Sequence, residues 1–189
     1  ENAINTLAAV QVGLGAETPL TVLASISGCG FVNLRDAITN FDTSGATTYT
    51  FYDSSNNPIT AAVAANITTS GTYYIEAFNP ADACASVRKP VVVTVNPLPT
   101  LQVNPTTYTV NLGGTVTLQS TSNAAVTWYN QSGTALGSNV AGPFTTAGYY
   151  TFTAVANNGL CSVSLSVTVN VIDPANCQVF LDRVYADTQ

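Results

Sequence analysis

The sequence predicts an all-β protein built from two tandem β-sandwich domains. Three observations predict it: a strand-forming composition, period-two alternation broken by frequent turns, and an internal repeat. Of the 189 residues, 46% are hydrophobic and 7% are charged. An average globular chain carries about 25% charge, so this one is charge-poor yet able to build a core. Thr, Val, Tyr and Phe favour pleated, half-buried surfaces, and Asn, Gly, Pro and Ser supply turns.

The repeat sets the domain organisation. The run from Tyr49 to Asn57 matches the run from Val126 to Thr134, and Ile67–Phe78 matches Phe144–Val155. Phe51 falls on Trp128, Gly71 on Gly148, Cys84 on Cys161 and Pro97 on Pro174, each 77 residues apart. Upstream the spacing is 84, from Gly30 to Gly114 and Leu34 to Leu118. The second unit is therefore shorter ahead of its aromatic strand, and the loop around Asn40–Thr47 absorbs the difference, as loops do. Pro97 and Pro99 stiffen the junction. The expected boundaries are 1–96 for the first module, with 1–17 an extra or preceding strand, and 97–174 for the second. Residues 175–189 then begin a further module or form a docking strand.

Alternation and turn punctuation predict the strands. In the first module they are Leu20–Ile26, Phe31–Ala37, Thr48–Tyr52, Ile59–Val63, Thr72–Phe78 and Val91–Val95. In the second they are Leu101–Val110, Thr115–Ser120, Ala125–Tyr129, Thr134–Leu136, Tyr149–Ala156 and Ser162–Val171. No helix is expected. Turns are expected at Asp53–Pro58 and Asn130–Gly133. Phe51 and Trp128 occupy matched positions and are expected in the cores. Of the pairs Tyr73–Tyr74 and Tyr149–Tyr150, one ring faces each side of the sheet, and Tyr74 and Tyr149 are the expected surface contacts.

Composition also excludes functions. The chain has no histidine, which removes the commonest general base, the commonest metal ligand and the usual partner of a Ser or Cys nucleophile. Four Lys and Arg against ten Asp and Glu leave a net charge of −6, too few cations for nucleic acid or a membrane surface. No apolar run reaches the roughly 18 residues of a membrane helix. The acids offer no repeated converging pair of the kind a glycosidase uses, so no catalytic residue, no cofactor and no enzyme is expected. Asp53 with Asn56, or Asp173 with Asp182, are the candidate calcium ligands, without a recognised loop spacing. A Lys–Asn cross-link would have Lys89 alone to draw on, with Ser166 at the matching position. The sequons at Asn66 and Asn130 read as chance matches in a Thr/Ser/Asn-rich chain. The sequence contains no signal peptide and begins at Glu1, so it reads as either mature or cut from something longer.

The Tyr-x-Phe/Trp-Tyr strand, the Asn/Ser/Gly turn, Thr-Thr-Ser/Ala-Gly-x-Tyr-Tyr and Val-x-Val-Asn-Pro together resemble immunoglobulin-like repeats. These repeats are related to the polycystic-kidney-disease-like class and occur in large secreted surface proteins of Bacteroidota. The resemblance covers about Leu20–Pro174. It implies tandem immunoglobulin-like sandwiches, a secreted cell-surface location, and export by type IX secretion as in gliding-motility adhesins. Its expected partners are neighbouring modules or subunits and surface polysaccharide.

The cysteines Cys29, Cys84, Cys161 and Cys177 show no CxxC spacing, and their even number reads as an oxidising location. A Cys29–Cys84 bond would close a loop of about 55 residues and contribute roughly 3–4 kcal/mol. Cys161 with Cys177 is the remaining combination; either the chain doubles back to allow it or Cys177 pairs outside this segment. The expected function is a structural or adhesive repeat segment, acting as a stalk or contact surface. The alternatives are a filament subunit assembled by strand addition and a carbohydrate-binding module.

Overall fold

Two long hairpins organise the chain, one in each of the units Glu1–Asn96 and Pro97–Gln189. The computed structural model describes residues 16–82 and 84–175. In the first unit the strands are β1 (Ser25–Cys29), β2 (Thr48–Tyr52), β3 (Pro58–Ile59), β4 (Gly71–Phe78) and β5 (Lys89–Asn96), in the sheet order β1-β5-β4-β2-β3. The hairpin β4–β5 turns Ile75, Ala77, Val91 and Val93 inward, each at most 1% exposed. A second layer closes over it through the bridges Val22↔Ile38 and Val32↔Ile67. Its Leu34, Ile38 and Ile67 complete the core together with Phe51.

In the second unit the strands are β6 (Leu101–Val103), β7 (Thr107–Asn111), β8 (Val116–Thr117), β9 (Ser120–Ser122), β10 (Ala125–Tyr129), β11 (Val140–Ala141), β12 (Gly148–Asn157) and β13 (Ser162–Ile172). One sheet runs β10-β12-β13-β7, and the facing layer consists of the pairs β8–β11 and β6–β9. Between them lie Leu118, Trp128, Phe144, Phe152, Ala154, Val167, Val169 and Val171. Apolar residues on alternate positions of both layers drive this packing, at about 25 cal/mol per Å² of buried apolar surface.

Both units share a closing device. The first strand of each sheet runs parallel to its last: β1 with β5, and β7 with β13. Both also pin the start of their central strand in one way. The Tyr73 hydroxyl donates to the Thr69 carbonyl at 2.9 Å, and the Tyr150 hydroxyl donates to the Thr146 carbonyl at 2.8 Å. This is the tyrosine corner of antiparallel sandwiches. It accounts for which ring of each Tyr pair turns inward.

The structure corrects several sequence expectations. The expected strand Phe31–Ala37 ends in a short 3-10 turn, Leu34–Ala37, because the Asn33 side chain accepts the Arg35 amide. Of the expected strand Ile59–Val63 only Ile59 is strand, in β3; the chain then forms a one-turn helix, α1 (Ala61–Ala64), whose first turn is capped by the Thr60 hydroxyl accepting the Val63 amide. The expected strand Leu101–Val110 is split into β6 and β7, with Pro105 in the gap. The strand β11 was not expected. The expected Thr134–Leu136 strand reduces to one bridge, Tyr129↔Ala135.

Register also refines the repeat. Phe51 lies opposite Ile75, whereas Trp128 lies opposite Ala154. Measured against the 77-residue offset, the aromatic strand has slid by two residues between the units. An even slide keeps both aromatic rings facing inward. Along the last strand the pairings Tyr73↔Val91 and Tyr150↔Val169 give an offset of 78. The register counterpart of Lys89 is therefore the buried Val167, and Ser166 corresponds to Arg88.

The tyrosine corners generate a prediction. Tyr73→Phe and Tyr150→Phe each remove one hydroxyl bond while keeping the ring, and each should lower stability by about 1 kcal/mol in denaturant unfolding. A loss within error at both positions would show that the corners are incidental.

Candidate functional site

The residues that repeat between the units are structural. Phe51 is 7% exposed and Trp128 4%. Asp53 and Asn130 both serve as turn caps: Asp53 Oδ1 accepts the amides of Ser55 and Asn57, and Asn130 Oδ1 accepts those of Ser132 and Thr134. These bonds, chiefly that from the Asn57 amide, hold the Asp53 carboxyl below its ordinary pKa. In the candidate calcium pair, the side-chain Oδ1 of Asn56 already accepts Arg88 Nη1 at 3.1 Å. Asp182 lies outside the described residues. Among the described residues, no three acids or cysteines gather into a metal-binding group. No helix among them is long and apolar enough to cross a membrane.

What differs between the units lies on the outer face of the larger sheet. In the first unit the Arg88 guanidinium stacks over Tyr52 at 3.6 Å from the ring centroid. Its Nε donates to Glu76 at 3.1 Å, and the Tyr52 hydroxyl donates to the same carboxylate at 3.3 Å. Glu76 raises the pKa of Arg88, chiefly through this hydrogen bond. Half-buried Tyr74 pairs with Tyr52 across the ladder and borders this cluster. In the second unit the same ladder rung joins Thr153 to Ser166 by a hydroxyl–hydroxyl bond of 3.1 Å. Tyr129, Asn130, Gln131, Thr151 and Thr153 line a shallow groove beside it. Tyr149 stands 76% exposed on β12. The face is thus charged and aromatic in one unit, and uncharged and hydroxyl-rich in the other. The spacing of Arg88 and Glu76 in sequence hid their pairing, which only the hairpin register brings together.

A third acid organises a loop. Asp42 accepts the Ser44 hydroxyl at 2.6 Å, the Ser44 amide at 2.8 Å and, through its other oxygen, the Thr47 amide at 2.8 Å. The Ser44 bonds lead in lowering its pKa from 3.8 to about 2. This is the Asn40–Thr47 loop expected from the offset change.

The cysteines depart from expectation. Cys29 and Cys161 are disulfide-bonded, and Cys84 is a free, exposed thiol. The expected Cys29–Cys84 bond is therefore not formed. The parallel register sets Cys29 opposite Asn96, at the far end of β5, while Cys84 precedes Lys89 at the near end. A strand of that length spans about 23 Å at roughly 3.3 Å per residue, far beyond the about 7 Å a disulfide tolerates. Cys177 lies outside the described residues.

Residues 100–171 match the profile of the PKD domain. No curated protein matches the chain. Among solved structures it is similar to the four N-terminal Ig domains of Dscam1 isoform 6.9, at 17% identity over 68% of this chain, with a TM-score of 0.32. It is similar to Sidekick-1 immunoglobulin domains 1–5 at 10% identity over 82% of the chain, with a TM-score of 0.32. A chimeric titin Z1Z2–Z1Z2 tandem carrying a GRGDS peptide from fibronectin covers 82% of this chain and 100% of its own, at 15% identity and a TM-score of 0.35. The chain spans 38% of the Dscam1 and Sidekick-1 chains. With its own strand topology, the PKD match makes this an all-β protein of immunoglobulin-like sandwich fold, a class typical of extracellular structural and adhesive modules.

Two outcomes check this description. Iodoacetamide applied without reductant should label Cys84 and leave Cys29 and Cys161 unlabelled until the protein is reduced, as read by peptide mass spectrometry. The Asp42 carboxyl should titrate near pH 2. Because its folded pKa is depressed, its stabilising effect is present above about pH 4 and lost as pH falls toward 2. Asp42→Asn should flatten stability across that window, and an unchanged profile would contradict the loop assignment.

Proposed function

We propose that the chain is a structural and adhesive segment of a bacterial cell-surface protein, serving as a tension-bearing stalk in an array of similar modules. On this reading it is secreted, through a type IX route as in gliding-motility adhesins, and its partners are neighbouring modules of the same protein. The observation that carries the reading is the parallel pairing, in both units, of the first strand of the larger sheet with its last. Tension applied through a unit's two ends pulls these strands in opposite directions along their length. All of the hydrogen bonds between them are then loaded together, rather than opened one after another from an end. The repeated side chains support the same reading, because they fill cores, corners and turns and none converges with another on a reaction centre. A sugar-binding reading calls for a cluster of exposed rings, and Tyr149 makes no ring contact among the described residues.

Force spectroscopy on the reduced chain, pulled through its ends, tests the proposal. The register places the Val110 amide on the Asn170 carbonyl, so Val110→Pro removes a rung of the β7–β13 ladder. The unfolding force of the second unit should fall by about half, with the first unit's event unchanged as an internal reference. An unfolding force unaffected by the proline would remove the load-bearing role.

A further inference from the structure

The two units manage the free edge of their last strand differently. In β13 only Thr168–Ile172 pair with β7, and the Thr168 amide donates to the Thr106 carbonyl. Amide and carbonyl groups of every second residue point to the same side of a strand. Those of Ser162, Ser164 and Ser166 therefore face the same edge as Thr168, beyond the end of β7, and all three residues are exposed. Among the described residues no backbone hydrogen bond reaches them on that side, although β6 of the facing layer passes close to β13. The segment Ser162–Val167 reads Ser-Val-Ser-Leu-Ser-Val, with Leu165 39% exposed. It has no charge, no proline and no bulge, which are the devices by which sheet edges ordinarily avoid pairing.

The first unit uses several of those devices at the corresponding edge. The Val92 amide donates to the Ala24 carbonyl, so Pro90 faces the edge there, where it offers no donor. The carboxylate of Glu17 accepts the Val87 amide. The strand-like segment Ala16–Thr18 lies along Cys84, with Thr18 donating to the Cys84 carbonyl at 2.9 Å and Cys84 donating to Ala16. An edge hydrogen-bonded by another segment in one copy of the fold, and a neutral edge without backbone hydrogen bonds in the other, is a difference the shared architecture does not require.

Charge decides the occupant. From Pro97 to Ile172 the chain contains no Asp, Glu, Lys or Arg. Nothing on this unit's described surface up to Ile172 repels an identical surface, and the alternating Ser/Val/Leu edge is complementary to itself. We propose that Ser162–Val167 is a strand-pairing site for a second copy of this chain, the two edges joining antiparallel about a two-fold axis. The paired backbone groups of Ser162, Ser164 and Ser166 hold the contact, and Leu165 of each copy is covered by it. This site stands independently of the stalk reading, which depends on β7 rather than on the free half of β13.

The test uses the full chain with Cys84 alkylated, so that no intermolecular disulfide confuses the result. Sedimentation velocity should show the mass rising from 19.5 kDa toward twice that value with increasing concentration. Ser164→Pro, which removes an edge donor, and Ser164→Lys, which charges the edge, should each raise the dissociation constant at least about tenfold. Circular dichroism should confirm that both variants remain folded. Thr127→Lys, on the exposed face of β10 at the opposite edge of the sheet, should leave association unchanged. Amide exchange should slow at Ser162, Ser164 and Ser166 as concentration rises. A chain that stays monomeric into the millimolar range overturns the proposal. So does association that survives both Ser164 variants, or that is lost on Thr127→Lys.

Discussion

Everything in this molecule depends on burying one face of a two-stranded hairpin, β4–β5 in the first unit and β12–β13 in the second. Ile75, Ala77, Val91 and Val93 in one, and Phe152, Ala154, Val167, Val169 and Val171 in the other, present a continuous apolar surface that water penalises. The aromatic strand is recruited on one flank, and the parallel first strand on the other. The facing layer then needs little regular structure of its own. In the first unit it is held by isolated bridges and a 3-10 turn, and it still delivers Leu34 to the centre with no exposure. Hydrogen bonding there is local, whereas burial is shared, so the layer tolerates irregular backbone as long as its apolar side chains reach inward.

That asymmetry explains which parts of the fold could be read from sequence. In the main sheet Thr48–Tyr52 and Ala125–Tyr129 have the bounds expected of them and the hairpin strands shift by only a residue or two, whereas the expected Leu20–Ile26 is strand only from Ser25, in β1 (Ser25–Cys29). The facing layer was misread where a single polar side chain redirected the backbone. Asn33 and Thr60 each cap a turn that propensity alone would have written as strand. Strand β11, of two residues, is too short to show any period. The register slides between the units lay hidden for a different reason. A sequence offset records which residues correspond along the chain, whereas pairing depends on how loops let strands shift against one another.

The surface was less legible than the core. Outward residues are not constrained by packing, so neither composition nor alternation revealed that Arg88 would lie between Tyr52 and Glu76. The cysteines show the same limit. Spacing made Cys29 and Cys84 plausible mates, but the parallel direction of β1 carries Cys29 to the opposite end of β5. Strand direction is a global property of the sheet, and no local pattern near either cysteine encodes it.

The absence of Asp, Glu, Lys, Arg and His from Pro97 to Ile172 has a consequence for the environments in which that sandwich can operate. Proton linkage requires a group whose affinity for protons changes on folding. In that stretch no carboxylate, imidazole, ammonium or guanidinium group is present to play that role. Likewise, without charge pairs there is nothing for dissolved ions to screen. Its folding equilibrium should therefore be nearly indifferent to acidity and salinity, unlike the first unit with its Asp42 loop and Arg88–Glu76 pair. Joined in one chain, the two sandwiches present surroundings of changing composition with one responsive member and one inert one.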